Sequence, residues 1–454
     1  MEPLLKVEQS ILLTIKRLGI NGEGIGYYKR QAVFVDGVMP PEEVIVKITE
    51  VQNNFAKGEV QKIKIKADKR VKPFCKHYSV CGGCQTQHID YLEQLSLKDE
   101  MLQQTVERYS GLSRESIKFS DMVGMKHPRH YRYKAQMPVK NTEYGLAAGL
   151  YKKESNDLVE IGDCPIQNEN VNRVIEQVLE ICDKNDIRAF DPITMRGLLR
   201  YVVVRASNYS DEIQVTLVIT IYNHALKNAA KDIIRIPGVV GVGISKNKDV
   251  KNIEIFGEEV EILEGERHIV EGIGDIKYHL QPKAFFQLNP EQAIKLYSYV
   301  KTKLNFEEDK VLVDAYCGAG AISMYLAQYA EKILGIDRSR ESIYSAKHNA
   351  KVNKFDNLKF HQGEVDLVLP RYFDNGLNPD AIIFDPPRAG IDSKTLDLLV
   401  RKPVKKIIYI SCNPSTLAKN LKVLTKKYNV ESIASFDMFP HTSHIESVTV
   451  LTKK

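Results

Sequence analysis

Nowhere in the 454-residue chain does an apolar run approach the ~20 residues that a membrane span requires. The opening stretch, MEPLLKVEQSILLTIKR, carries Glu2 and Glu8 and has too short an apolar core for a secretory signal. The expected location is therefore cytoplasmic, with no membrane partner and no protein partner implied. Internal repeats and low-complexity linkers are missing as well, which argues against solenoids and disordered tethers. A strong charge imbalance is also missing: the net charge of +6 decides little by itself. What remains is an ordinary globular composition, 43% hydrophobic and 27% charged, in a chain too long for one core. Two or three domains are expected.

The placement of the charge says more than its sum. Gln61 to His77 holds seven Lys/Arg against one Asp, and KHPRHYRYK (Lys126–Lys134) interleaves four Lys/Arg with two Tyr and two His. Either run alone reads as solvated surface. Two such runs, one with rings able to stack on bases, point to a nucleic-acid partner.

Residues 7–65 contain five short β-runs separated by Gly-rich turns, the pattern of a small OB-type barrel. A helical pattern spans about Tyr91 to Tyr109, and mixed α/β segments follow as far as Lys277. From Val311 the rhythm becomes strand–helix alternation, which builds a doubly wound parallel sheet with ligands beyond the carboxyl ends of its strands. That rule brings Asp314, Asp337, Asp385 and Cys412 to one edge, since all four lie at or just past strand ends. The expected organisation is a barrel over 1–68, a central α+β domain over 69–275, and a Rossmann-like α/β domain over 276–454. The helix near 91–110 is a candidate to pack on the last of these.

DAYCGAG follows the strand KVLV and opens a helix, so Gly318 lets backbone approach a ligand at a helix N-terminus. The loop is not G-x-G-x-x-G, which counts against NAD, and it lacks the Lys-Ser/Thr of a P-loop. Asp337 ends the next strand, about twenty residues on, where a carboxylate can hydrogen-bond the ribose hydroxyls of an adenosine. An adenosine without phosphates, such as that of S-adenosylmethionine, suits the pair best; a structural βα turn is the plainer alternative.

FDPPR (Phe384–Arg388) is a rigid strand-end loop; in nucleic-acid methyltransferases an Asp/Asn-Pro-Pro motif holds an extruded base beside the methyl donor, and a simple Pro-rich turn is the plainer alternative. An exocyclic amine supplies its own nucleophile and needs nothing further. Carbon 5 of uracil does not: it becomes nucleophilic once a thiolate has added at carbon 6, and a base must then take its proton. Cys412, in YISCNP, ends the following strand, and Glu446 lies on the period-2 segment HTSHIESVTVL. The pair marks a pyrimidine carbon-5 site. A buried structural thiol and a His441/His444/Glu446 metal site are the competing readings.

Cys75, Cys81 and Cys84 show C-x5-C-x2-C spacing, and Cys164 in GDCPIQ is the obvious fourth thiolate. Four cysteines suit zinc or an iron–sulfur cluster equally. Cys182 and Cys317 read as packing.

FFQLNP, DAYCGAG, DPPR, SCNP and HIESV, in this order, resemble the RNA (uracil-5-)-methyltransferases, and the resemblance spans essentially the whole chain. It implies a class I methyltransferase domain, an N-terminal TRAM barrel, S-adenosylmethionine as donor, and structured RNA as substrate. It further implies Cys412 as nucleophile and Glu446 as proton acceptor, with Gln287, Tyr316, Asp337 and Asp385 lining the cofactor and base pocket. Asp337 departs from the Glu that many members carry there. A [4Fe-4S] cluster on the four cysteines and 23S ribosomal RNA as substrate are also what it implies, with transfer RNA as the alternative.

Overall fold

The computed structural model describes residues 5–249 and 254–454; Glu2, used above, lies outside them. The N-terminal strands β1 (Ser10–Leu18), β2 (Gly24–Tyr28), β3 (Gln31–Val35), β4 (Glu43–Val51) and β5 (Phe55–Ile65) close into a barrel in the order β1-β2-β3-β5-β4. Alternate residues point inward, so Ile11, Leu13, Ile15, Val44, Val46 and Ile48 form its core. Arg70, just beyond the barrel, pairs with the buried Glu42 and ties the next segment to it.

A cysteine-bearing loop leads into α1 (Tyr91–Ser110). Asp90 caps its first turn by accepting from Leu92 N at 3.1 Å, and Gly111 ends it at φ 80°. The strand β6 (Lys118–Val123) follows.

Next come β7 (Lys134–Thr142), β8 (Gly145–Tyr151), β9 (Leu158–Glu160), α2 (Glu169–Lys184), β10 (Leu199–Ala206), β11 (Ile213–Ile219), α3 (Ala225–Ile233), β12 (Val239–Lys246) and β13 (Val260–Gly265). Their seven strands form one sheet, β13-β12-β11-β10-β7-β8-β9. The apolar faces of α2 and α3 join its core, where Cys182 is fully buried as packing. The hairpin β14 (Ile269–Ile273) and β15 (Ile276–Leu280) then bridges toward the last sheet.

That sheet is assembled from α4 (Pro290–Thr302), β16 (Val311–Ala315), α5 (Ala321–Ala327), β17 (Lys332–Asp337), α6 (Arg340–Val352), β18 (Leu358–Gln362), α7 (Val365–Asp374), β19 (Ala381–Phe384), α8 (Ser393–Arg401), β20 (Lys406–Ser411), α9 (Pro414–Leu424), β21 (Tyr428–Phe436) and β22 (Glu446–Lys453). Its order is β18-β17-β16-β19-β20-β22-β21-β6. The five strands from β18 to β20 are parallel; β16, β17, β19 and β20 are largely buried and mostly aliphatic, whereas β18, at the sheet edge, buries only Phe360. Strand order reverses between β16 and β19, and that switch point opens a crevice at the carboxyl edge.

Two features go beyond the alternation read from sequence. β22 runs antiparallel between β20 and β21, which puts Glu446 at the edge where β20 ends. β6, far earlier in the chain, completes the sheet beside β21, and α1 packs on α9. The α1 contact includes a fully buried ion pair, Lys98 Nζ to Asp437 Oδ1 at 2.6 Å, which Tyr91 completes by donating to Asp437 Oδ2 at 2.9 Å. Removing one partner of such a pair typically costs about 3–5 kcal/mol, so α1 is firmly fixed to the strand end that precedes Glu446. Among the described residues, no helix is long and apolar enough to cross a membrane.

Candidate active site

The four strand-end residues come together with Glu446 as the switch point requires. Asp314 is 1% exposed; its Oδ2 accepts from Ser323 N at 3.0 Å and Ser323 Oγ at 2.5 Å, while its Oδ1 has no partner. Burial, resisted by those two bonds, raises its pKa to about 6. Beside it Asp385, just past β19, is pushed to about 7 by burial and by the Asp314 charge, although part of the residue stays open to the crevice. Glu446, the first residue of β22, is 5% exposed and held well above the ordinary carboxylate range by burial and by Asp385, with Arg388 opposing. The three acids cannot all carry charge in so dry a space; an acid held this way binds a proton avidly.

Cys412 follows β20 and is half-buried. Burial, then Glu446 and Asp385, raise its thiol to about 11, and Arg388 pulls the other way. The next residue explains why the loop is so constructed. Asn413 caps α9 by accepting from Ser415 N at 3.0 Å and donates from Nδ2 to the Arg388 carbonyl at 3.1 Å. The S-C-N-P turn and the D-P-P-R loop are thereby one unit, with Pro414 in the first turn of α9 and the thiol ahead of a helix N-terminus. Since pH below the pKa controls the thiolate fraction, alkylation of Cys412 by iodoacetamide is expected to rise about tenfold per pH unit up to about pH 10, where an ordinary thiol has already levelled off. Mass spectrometry of the Cys412 peptide measures it; a plateau near pH 9 would contradict the raised thiol.

The glycine loop occupies the other half. Tyr316 takes φ 67° and its hydroxyl donates to Asp392 Oδ2 at 3.5 Å; Gly318 follows at φ 55°. A methyl group added to Gly318 would meet nothing within 4 Å, so the loop leaves open space on that side. Asp337 accepts from Gly318 N at 3.0 Å and Ser339 N at 2.8 Å, which aims its carboxylate along the loop. Gln287 stands half-buried two residues before Asn289, the N-cap of α4. Cys317 is buried against Ile343, Ala346 and Phe360, as packing requires.

Two contributors, Arg388 and Tyr297, carry no distinctive spacing in the sequence, and a third, His444, reads there only as a candidate metal ligand. Arg388, quoted above merely as the end of D-P-P-R, is a cation within electrostatic reach of both Cys412 and Glu446, and its guanidinium also reaches the His444 ring at 3.2 Å. His444 is thereby held neutral, its pKa near 4 through burial and Arg388. Tyr297 of α4 is buried within electrostatic reach of Asp385, Asp314 and Glu446. The alternative of a His441/His444/Glu446 metal site is not supported. His441 packs between Phe74 and Tyr91 and bonds Gln94, and among the described residues no group of three His, Cys, Asp or Glu is arranged to hold a metal ion.

Comparison with known proteins fits this geometry. The profile of the tRNA (uracil-5-)-methyltransferase family matches residues 90–454, and that of the TRAM domain matches 5–61. The chain belongs to the RNA (uracil-5-)-methyltransferase family. An uncharacterized RNA methyltransferase of Bacillus anthracis is 40% identical over all of this chain and 99% of its own length; one from Streptococcus pneumoniae is 37% identical over 99% of each. A Pyrococcus abyssi tRNA (uracil-54, C5)-methyltransferase, solved with S-adenosyl-L-homocysteine, superposes with a TM-score of 0.77 over 97% of this chain and all of its own, at 25% identity. The enzyme is thus a class I, S-adenosylmethionine-dependent RNA methyltransferase with an N-terminal TRAM barrel.

The four cysteines of the barrel-proximal loop and the 161–168 turn are all free thiols. They sense one another's charge: burial dominates the rise of Cys84 to about 12, and Cys164, Cys81 and Cys75 each add to it.

Proposed function

We propose that this enzyme methylates carbon 5 of uridine in 23S ribosomal RNA through a covalent adduct on Cys412. The observation that carries the proposal is the meeting of a thiol, a buried carboxyl and a cation (Cys412, Glu446 and Arg388) beside the Asp385 loop. An exocyclic-amine enzyme would need Asp385 and no thiol. S-adenosylmethionine, when bound, supplies an electrophilic methyl sulfonium. Gly318, Asp337 and the unpartnered Asp314 Oδ1 fit such a ligand: open backbone, a ribose acceptor and a buried acceptor awaiting a donor. Gln287 and Tyr316 complete the proposed cofactor and base pocket.

The Cys412 sulfur adds to carbon 6 of the uracil, and Arg388 favours the thiolate form. The π electrons pushed onto the ring make carbon 5 the nucleophile that takes the methyl group. Glu446 then removes the proton from carbon 5, the C5–C6 double bond re-forms, and the thiolate leaves. A carboxyl held far above its usual pKa suits a base that must take a carbon-bound proton. Asp385 is placed to hold the base.

A cleft of about 1040 Å³ runs from the barrel past α1 to this site, lined by Arg17, Tyr27, Arg108, Tyr109, Ser415 and His444. The exposed Tyr27, Tyr109 and Arg108, with the half-buried Arg17, suit stacked bases and phosphates of folded RNA, among walls that also carry Glu23, Asp36, Glu59 and Glu154. The ribosomal assignment rests on the resemblance to cluster-bearing members; transfer RNA is the second reading, favoured by the Pyrococcus abyssi likeness. Incubating the enzyme with tritium-labelled S-adenosylmethionine and either RNA, then mapping 5-methyluridine, decides between them. Label confined to transfer RNA would refute the first.

We further propose that Cys75, Cys81, Cys84 and Cys164 hold a [4Fe-4S] cluster that braces the region between barrel and α1. Four free thiols within electrostatic reach of one another, three half-buried and Cys164 buried, have the required donor chemistry although their sulfurs do not already stand as a closed ligand group, and metal ligation would deprotonate them. Anaerobically purified enzyme should carry iron and sulfide; zinc without iron would overturn the assignment.

A further inference from the structure

Between β21 and β22 the chain makes a turn, Phe439–Ile445, whose end fixes where Glu446 begins its strand. His441 within it adopts φ 66°, a left-handed conformation that a non-glycine residue keeps only when its surroundings over-determine it. Those surroundings come from far away in sequence. Gln94 of α1 accepts from His441 N at 3.1 Å, and Tyr131 donates to the Pro440 carbonyl at 2.9 Å. Gln85 N and Thr86 N both donate to the His441 carbonyl, at 3.0 and 3.1 Å.

Gln85 does more than its neighbours. Its Oε1 accepts from Ser443 N at 3.2 Å, three residues before Glu446, and its Nε2 donates to the Gly82 carbonyl at 2.8 Å. Its own carbonyl is held by the Tyr78 hydroxyl at 2.6 Å. The barrel reaches the same point: Gly22, at φ 88°, is so close that a Cβ there would fall 2.6 Å from Gln85 Cβ and 3.2 Å from Ser443 Cβ. Gln85 and Ser443 also line the cleft that ends at His444. One amide side chain therefore clasps the barrel turn, the cysteine loop and the catalytic turn together.

We propose that Gln85 is a positioning residue for Glu446, setting the turn from which the base enters β22 and thereby acting on proton removal rather than on thiol addition. The inference rests on the reading of Glu446 as the base. It does not depend on whether the cysteines carry a metal group.

The two chemical halves of the reaction can be read separately. RNA containing 5-fluorouridine is methylated and trapped on Cys412 without any proton removal, whereas natural RNA needs the base for release. Gln85→Met keeps the length and loses both side-chain hydrogen bonds; Gln85→Glu keeps the acceptor for Ser443 N. With natural RNA, Q85M should turn over roughly tenfold more slowly and accumulate methylated covalent enzyme, while its trapping rate stays within about twofold of wild type. Q85E should recover most of the turnover. Gly22→Ala, which presses on Gln85 from the barrel, should give the same split and serves as a second test should Q85M fold poorly. Trapping and turnover that fall together, or turnover unchanged in Q85M and Gly22→Ala alike, would overturn the positioning role. Glu446→Gln run in parallel distinguishes the failures. If it too shows no accumulation, the assignment of the base falls; if it accumulates adduct and Q85M does not, the error lies in the role given to Gln85.

Discussion

Cys412→Ala is expected to lose methyl transfer to natural RNA by at least about 10⁴-fold and to form no adduct with 5-fluorouridine RNA. The physical reason is electronic: carbon 5 of uracil has too little electron density to attack a sulfonium until carbon 6 carries a nucleophile, and no other described thiol neighbours Asp385 and Glu446. Cys317, though near Asp314 and Asp337, is buried behind the glycine loop and its thiol is held well above the ordinary range by burial. Single-turnover transfer of labelled methyl groups measures the loss, and a denaturing gel shows the adduct. Adduct that persists in C412A would mean that another group attacks carbon 6. Cofactor binding should survive the change, since the Gly318–Asp337 half of the site lies on other strands.

Glu446→Gln should have the second-largest effect, with turnover reduced by about 10²- to 10⁴-fold while thiol addition and methylation proceed. The amide matches the carboxyl in size but holds no basic electron pair, so the methylated intermediate keeps its proton and stays attached to Cys412. The expected result is a slow-migrating, methyl-labelled enzyme–RNA species with natural uridine, absent from the wild type. Burial dominates the rise of the Cys412 thiol, and glutamine removes the Glu446 charge that adds to it, so iodoacetamide should react with Cys412 at a given pH at least as fast as in the wild type. Normal release of methylated RNA would show that a different group, such as Asp385, takes the proton.

The two substitutions divide the reaction as the structure divides the site. The thiol comes from the end of a parallel strand, where sequence reasoning for a doubly wound sheet puts functional groups. The carboxyl comes from the start of an antiparallel strand, which delivers its first residue to the same edge because it runs the opposite way. Simple alternation of strand and helix does not predict that reversal. Glu446 was legible because H-I-E resembled a family motif and lay on a period-2 segment, and its burial, which gives it its proton affinity, came with the fold. Arg388 and Tyr297 were not legible as site residues. A cation is ordinary at the end of a loop and a tyrosine is ordinary on an amphipathic helix; what distinguishes both is the company that tertiary packing gives them.

Local chemistry in the sequence determined the five-run barrel, the helix after Asp90, the aliphatic parallel strands, the glycine loop and the cysteine that precedes Asn-Pro. Each depends on periodicity, on turn residues or on caps within a few positions of one another, so a linear reading suffices. Tertiary structure alone decided that β6 closes the catalytic sheet, that α1 is pinned to Asp437, and that Gln85 reaches Ser443 across 358 positions. Those pairings join segments with no periodic relation, through single hydrogen bonds and buried charges. Their partners become known once the chain has folded around them.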